Sequence, residues 1–175
     1  MEAGDSRGWT ALFYAARYGH KAVVELLLDR NADLEARSRD GWTPLFTAAR
    51  NGREAIVDLL LDRNANLEAR DKGGWTPLHT TARYGCKASV ELLLDRNADL
   101  EACGEGGWTP LFIAARYGHK AAVGLLLDRN ADIEACDESG WTPLFIAAIN
   151  GQKAIVELLL DRNAYLEARG WMSPV

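Results

Sequence analysis

Residues 38–70 read SRDGWTPLFTAARNGREAIVDLLLDRNANLEAR, and the same 33-residue phrase recurs five times along the chain of 175 residues. Thr43 followed by Pro44 marks a helix start: the threonine hydroxyl can cap free backbone N–H groups, and proline suits the first helical position. Leu45, Ala48 and Ala49 give an apolar face at i, i+3 and i+4 on a short first helix, thin enough for neighbouring units to approach closely. Asn51-Gly52 ends it, glycine being free to adopt the left-handed conformation. The spacing predicts a second helix over 54–62. Its Ile56, Val57, Leu59, Leu60 and Leu61 cover most of the circumference, so it must be buried on more than one side. Arg63 is placed in its last turn, where a cation favours the helix dipole, and Asn64 takes a left-handed closing position. Residues 65–73 hold polar and turn-forming types and cross to the next unit as an extended hairpin loop.

The period is fixed by Trp9, Trp42, Trp75, Trp108 and Trp141, each preceded by glycine and followed by threonine. Four of those threonines precede proline, while Thr10 precedes Ala11. The phrase Leu-Leu-Leu-Asp-Arg-Asn-Ala begins at Leu26, Leu59, Leu92, Leu125 and Leu158. A single unit cannot bury its second helix, whereas stacked units share one continuous core, which is the logic of a solenoid.

Composition narrows the function classes. Hydrophobic residues make up 48% and charged residues 26%, as in ordinary folded proteins. The longest aliphatic runs are a few residues, far below the roughly 20 needed to span a bilayer, so no membrane partner is expected. Residues 1–7 lack the layout of a secretory signal. The net charge of −5 repels nucleic acid and anionic lipid unless a basic patch forms. The three cysteines, Cys86, Cys103 and Cys136, are too sparse for a disulfide framework and point to a reducing compartment, cytoplasmic or nuclear.

The phrase Gly41-Trp42-Thr43-Pro44-Leu45, with Ala48-Ala49, Gly52, Val57, Leu60-Leu61 and Ala65, resembles the ankyrin repeat over essentially the whole chain. The resemblance implies an all-α solenoid of helix–turn–helix units joined by hairpin loops. It also implies one domain over 1–175, with units at about 5–37, 38–70, 71–103, 104–136 and 137–169. Residues 170–175 read as a truncated sixth unit or tail. The family's histidine after Thr-Pro-Leu survives only as His79, and is replaced by Phe13, Phe46, Phe112 and Phe145. The hairpin asparagine of many family members is Glu35, Glu68, Glu101, Glu134 or Glu167, so asparagine hydroxylation has no acceptor there. Neither end carries a polar capping unit. This implies either a segment of a longer array or a last helix whose Ile155, Val156, Leu158 and Leu159 are exposed for self-association with another copy.

Ankyrin repeats bind partner proteins through their hairpin tips and the concave face of their first helices. Carried onto this sequence, that surface holds the tryptophans and the pairs Arg17-Tyr18, Arg50-Asn51, Arg83-Tyr84, Arg116-Tyr117 and Ile149-Asn150. Tryptophan, tyrosine and arginine are enriched at binding hot spots. The candidate partner-binding residues are therefore Trp42, Arg50, Trp75, Arg83, Tyr84, Trp108, Arg116 and Tyr117, with Arg39 and Lys72 at the tips. Such a basic, aromatic stripe suits a protein partner with an acidic surface or segment. The tryptophans serve equally well as packing between hairpin and helix. Tip positions that differ between units, from Ser38-Arg39-Asp40 to Asp137-Glu138-Ser139, are candidates for specificity. A purely structural spacer within a longer array, natural or designed, is the competing reading.

No catalytic residues, cofactors or metal ligands are expected. His20, Cys86 and His119 share one loop position in units 1, 3 and 4, so they should lie about 10 Å apart. A zinc ion needs its ligands within ~2.3 Å of one point. The same spacing disfavours a Cys103–Cys136 disulfide, which needs Cα atoms within ~7 Å. His79 reads as a structural histidine, with no nucleophile or acid converging on it.

Overall fold

Each Thr-Pro phrase opens a helix in the computed structural model, which describes residues 4–165. Thr43, Thr109 and Thr142 accept hydrogen bonds through Oγ1 from the N–H groups of Phe46, Phe112 and Phe145, at 3.4, 3.2 and 3.3 Å. Two units depart from this scheme. In the third, the His79 ring accepts a hydrogen bond from the Thr76 N–H. In the first, where alanine replaces proline, Thr10 makes no cap, and its buried hydroxyl has no partner among the described residues.

The described residues form ten α-helices in five pairs and no strand. The first helices are α1 (Ala11–Tyr18), α3 (Pro44–Arg50), α5 (Pro77–Tyr84), α7 (Pro110–Tyr117) and α9 (Pro143–Ile149). The second helices are α2 (Lys21–Asp29), α4 (Glu54–Asp62), α6 (Lys87–Asp95), α8 (Lys120–Asp128) and α10 (Lys153–Asp161). First helices touch first helices of neighbouring units, and second helices touch second helices, giving two parallel layers. One apolar cluster runs between them from Leu12 to Ala164. Val24, Val57, Val90 and Val123 are fully buried in it, as are Leu60, Leu93, Leu126 and Leu159.

Ile155 and Leu159, expected to be exposed on the last helix, are buried, and Val156 and Leu158 are partly so. They face back onto α8 and α9 instead of outward. Among the described residues, the exposed large apolar and aromatic side chains of the fifth unit are Trp141, Phe145, Ile149, Leu160 and Tyr165. Phe145 is 39% exposed, whereas Phe112 in the preceding unit is 1% exposed, because among the described residues a following first helix, α9, packs on the helix of Phe112 and none packs on that of Phe145. The truncated sixth unit expected at 170–175 lies outside the described residues, as does Glu167.

Asn31, Asn64, Asn97, Asn130 and Asn163 all close their second helices in the left-handed region, with φ between 61° and 66°. From the second unit on, the arginine before the closing asparagine pairs with an aspartate of the preceding unit, a role not expected for Arg63. α4 stops at Asp62, and Arg63 reaches back to Asp29 of the first unit at 3.1 Å. The same pairing recurs as Arg96 with Asp58 and Asp62, Arg129 with Asp95, and Arg162 with Asp128. A second ladder uses the hairpin glutamates. Glu35, Glu68, Glu101 and Glu134 accept hydrogen bonds from the backbone N–H of Asn66, Asp99, Asp132 and Tyr165 in the following unit. Acidity spread over hairpins and second helices thus stitches the units together.

Candidate protein-binding face

In four of the five tips the side chain of the first residue shapes the loop, the fourth opening on Gly104. Asp5, Ser38, Asp71 and Asp137 each accept two backbone N–H hydrogen bonds, one of them from the following tryptophan. At Asp5, the Trp9 N–H and the Tyr14 hydroxyl hold the carboxyl well below the usual carboxylate range. Successive tips are joined by single backbone hydrogen bonds, from Arg39 to Arg7, Lys72 to Asp40, Glu105 to Gly73 and Glu138 to Gly106. The side chains of Arg39, Lys72, Glu105 and Glu138 are left exposed in a row. The exposed middle residue of the tip therefore changes from a cation in the second and third units, where a neighbouring aspartate balances it, to a glutamate in the fourth and fifth. Arg37 and Arg70 bridge adjacent hairpins, donating to the carbonyls of Arg70 and Cys103 at 2.7 Å.

The tryptophans lie between the tips and the first helices. Trp9, Trp108 and Trp141 contact Phe13, Phe112 and Phe145 of their own units, with ring centroids 5.2–5.6 Å apart. Trp75 lies 6.2 Å from both His79 and Trp108. On their other side the rings meet arginines. Arg50 stands 4.8 Å from the centroid of Trp42 and 5.0 Å from that of Tyr84 in the next unit. Arg83 stands 5.3 Å from Trp75 and 5.2 Å from Tyr117 of the next unit. Arg116 sits 4.6 Å from Trp108 and 5.9 Å from its own Tyr117. Trp42, Arg50, Trp75, Arg83, Tyr84, Trp108, Arg116 and Tyr117 thus come together as one interleaved row. Arg39 and Lys72 stand at its edge on the tips.

The row is partly open to water, with Tyr84 43% and Tyr117 39% exposed. Among the described residues, the guanidinium groups of Arg17, Arg50, Arg83 and Arg116 stack on rings and have no hydrogen-bond acceptor. Stacking leaves guanidinium N–H groups free at the ring edges, where a carboxylate can accept two of them at once.

His79 is fully buried, and its hydrogen bonds fix its tautomer. The Thr76 N–H must donate to Nδ1, so the proton is on Nε2, which donates to the Trp108 carbonyl at 3.0 Å. Burial, opposed by that carbonyl, lowers its pKa to about 4. The loop position shared by His20, Cys86 and His119 is another inter-unit clasp. Arg53 and His119 donate to the carbonyls of Arg17 and Arg83 in the preceding unit, at 3.0 and 2.8 Å, and Gln152 donates to that of Arg116 at 3.4 Å. A Cβ on Gly85 would collide with the His119 ring, and one on Gly118 with the Gln152 amide, so these side chains need glycine beneath them.

Sequence reasoning overlooked one region of this face. A cleft of about 260 Å³ lies between the first and second units, lined by Arg7, Trp9, Arg17, Asp40, Trp42, Thr47, Arg50 and Asn51. Its signal in the sequence is Asn51, which stands where units 1, 3 and 4 carry tyrosine.

Models of the ankyrin-repeat family match residues 7–39 as an ankyrin repeat, and 35–103 and 98–169 as ankyrin repeats in three copies. The chain belongs to the ankyrin-repeat family, whose members are in general protein-binding modules and typically have no enzymatic activity. No curated protein matches the chain. Among the described residues, no helix is long and apolar enough to cross a membrane.

Proposed function

We propose that this chain binds a partner protein through the face built by its first helices and hairpin tips, and that the partner offers an acidic segment. The observation that carries this reading is the row of ring-stacked arginines that meet no acceptor among the described residues, on a protein whose net charge is −5. A basic strip on an acidic molecule selects an acidic partner and steers it to one face. Affinity capture from a lysate of the source cells tests the reading, with Arg83→Glu/Tyr84→Ala as the control bait. A partner held by the native chain and lost by the variant, with thermal stability little changed, supports recognition through the row.

The competing reading is a structural spacer. It is favoured by how many polar groups are already spent on unit-to-unit clasps, including the Arg50–Tyr84 and Arg83–Tyr117 contacts of the row itself. On that reading both baits behave alike.

A further inference from the structure

The first-helix face contains its own template for what fits between two units. In the cleft between the second and third units, the Tyr84 ring stands 5.0 Å from Arg50. In the next cleft, the Tyr117 ring stands 5.2 Å from Arg83. The equivalent pair between the first and second units is Arg17 and Asn51. Asn51 turns away, donating from Nδ2 to the Thr47 carbonyl of its own helix at 2.7 Å. Arg17 is left on Trp9 and its own Tyr18, with no ring arriving from the next unit. The cleft of about 260 Å³ is the space so vacated. It falls below the roughly 300–1,000 Å³ that encloses a whole small ligand, so it suits one inserted side chain of a larger partner.

The charges around it are equally specific. Arg17 and Arg50 point at the cleft with no acceptor among the described residues, while Arg7 is held by Asp5 and Tyr14. Asp40 is the one carboxylate of the lining and forms no ion pair within 4.0 Å among the described residues. Arg39 and Lys72 extend the positive rim along the tips. Asn150 repeats the tyrosine loss between the fourth and fifth units, but there Ile149 replaces the arginine and the tip carries Glu138, so no second cation closes the site.

We propose that the cleft between the first and second units is the anchor of the binding face. It takes an aromatic side chain, tyrosine above all, from a peptide segment whose neighbouring residues are Asp or Glu. The ring enters beside Arg17 as Tyr84 does beside Arg50, and the flanking carboxylates accept hydrogen bonds from Arg17 and Arg50. This inference rests on the first-helix face being the partner surface.

The probe is a capped acidic heptapeptide with one central tyrosine, titrated against the full chain while the indole N–H resonances of Trp9 and Trp42 are followed by NMR. Native protein should bind it at both indoles, more tightly than a leucine-centred or lysine-flanked peptide. Asn51→Tyr supplies the missing ring from the protein itself. It should keep its thermal stability and lose about tenfold or more in affinity. Arg17→Met, which removes the charge without filling the cleft, should also weaken binding. Tyr84→Asn should open a second socket and bind a further equivalent of peptide.

Unchanged binding by Asn51→Tyr, or no binding by the native chain, overturns the proposal. So does a Tyr84→Asn variant that gains no second site. A captured partner retained by Asn51→Tyr but lost by Arg83→Glu/Tyr84→Ala would leave the face as the partner surface and remove this cleft as its anchor. Retention by both variants would remove the face reading as well.

Discussion

In α3, on the first-helix side, six of seven residues are buried, whereas in α4, directly after it, four of nine are. The first helices α3, α5 and α7 lie between two neighbouring first helices, their own second helix and the hairpins, so little of their surface reaches water. Alanines at positions such as Ala48 and Ala49 make that approach sterically feasible. The second helices present one side to the core and the other to solvent, and there the units are joined by arginine–aspartate pairs whose side chains are 34–62% exposed. Exposed pairs contribute roughly 0–1 kcal/mol each. The difference teaches that close packing on one side of the solenoid supplies cohesion, while the other side adds regular but weak charge pairing.

Four tests, made with five substitutions, probe that contrast. The largest loss is expected for Phe112→Ala in the first-helix layer, about 3–5 kcal/mol by urea unfolding. Phe145→Ala at the same position of the fifth unit should cost clearly less, because that ring is already 39% exposed. Equal losses would mean that the interface with the following unit does not matter. Leu93→Ala, fully buried on the inward side of α6, should cost about 2–5 kcal/mol. A loss below about 1 kcal/mol there would misplace the second helix.

The third test is pH. Buried His79 has a folded pKa of about 4 against an unfolded value of 6.5, so between those values the unfolded chain binds more protons. Its contribution is therefore fully present above pH 6.5 and is lost as pH falls toward 4, to a limit of about 3 kcal/mol. His79→Phe, which restores the residue of the other four units, should flatten stability against pH over that window. An unchanged slope would assign the acid sensitivity to carboxylates instead. The smallest effect is expected from Arg96→Gln, below about 1 kcal/mol and shrinking further with added salt, even though Arg96 pairs with both Asp58 and Asp62. A loss comparable to Phe112→Ala would erase the distinction between the two layers.

The sequence by itself determined the unit. Helix starts at Thr-Pro, the second helix over 54–62, the left-handed asparagines and the buried apolar columns all follow from groups a few residues apart. Local capping, backbone sterics and hydrophobic periodicity specify them within one unit, and the stacking of units stabilises them. The row of tryptophan, arginine and tyrosine was also legible, because three residue types kept one register across several units. Only the tertiary structure decided which groups meet between units. The contacts that matter there span 29 to 38 residues, as in His79 to Trp108 and Asp58 to Arg96. Such offsets depend on how one unit is set against the next, and the repeat length alone does not specify that. For the same reason Arg63 belongs to Asp29 rather than to its own helix end, and Ile155 and Leu159 face inward. Asn51 is plain to read as a missing tyrosine, but that its absence opens a cleft beneath Arg17 is settled by the stacking of two units.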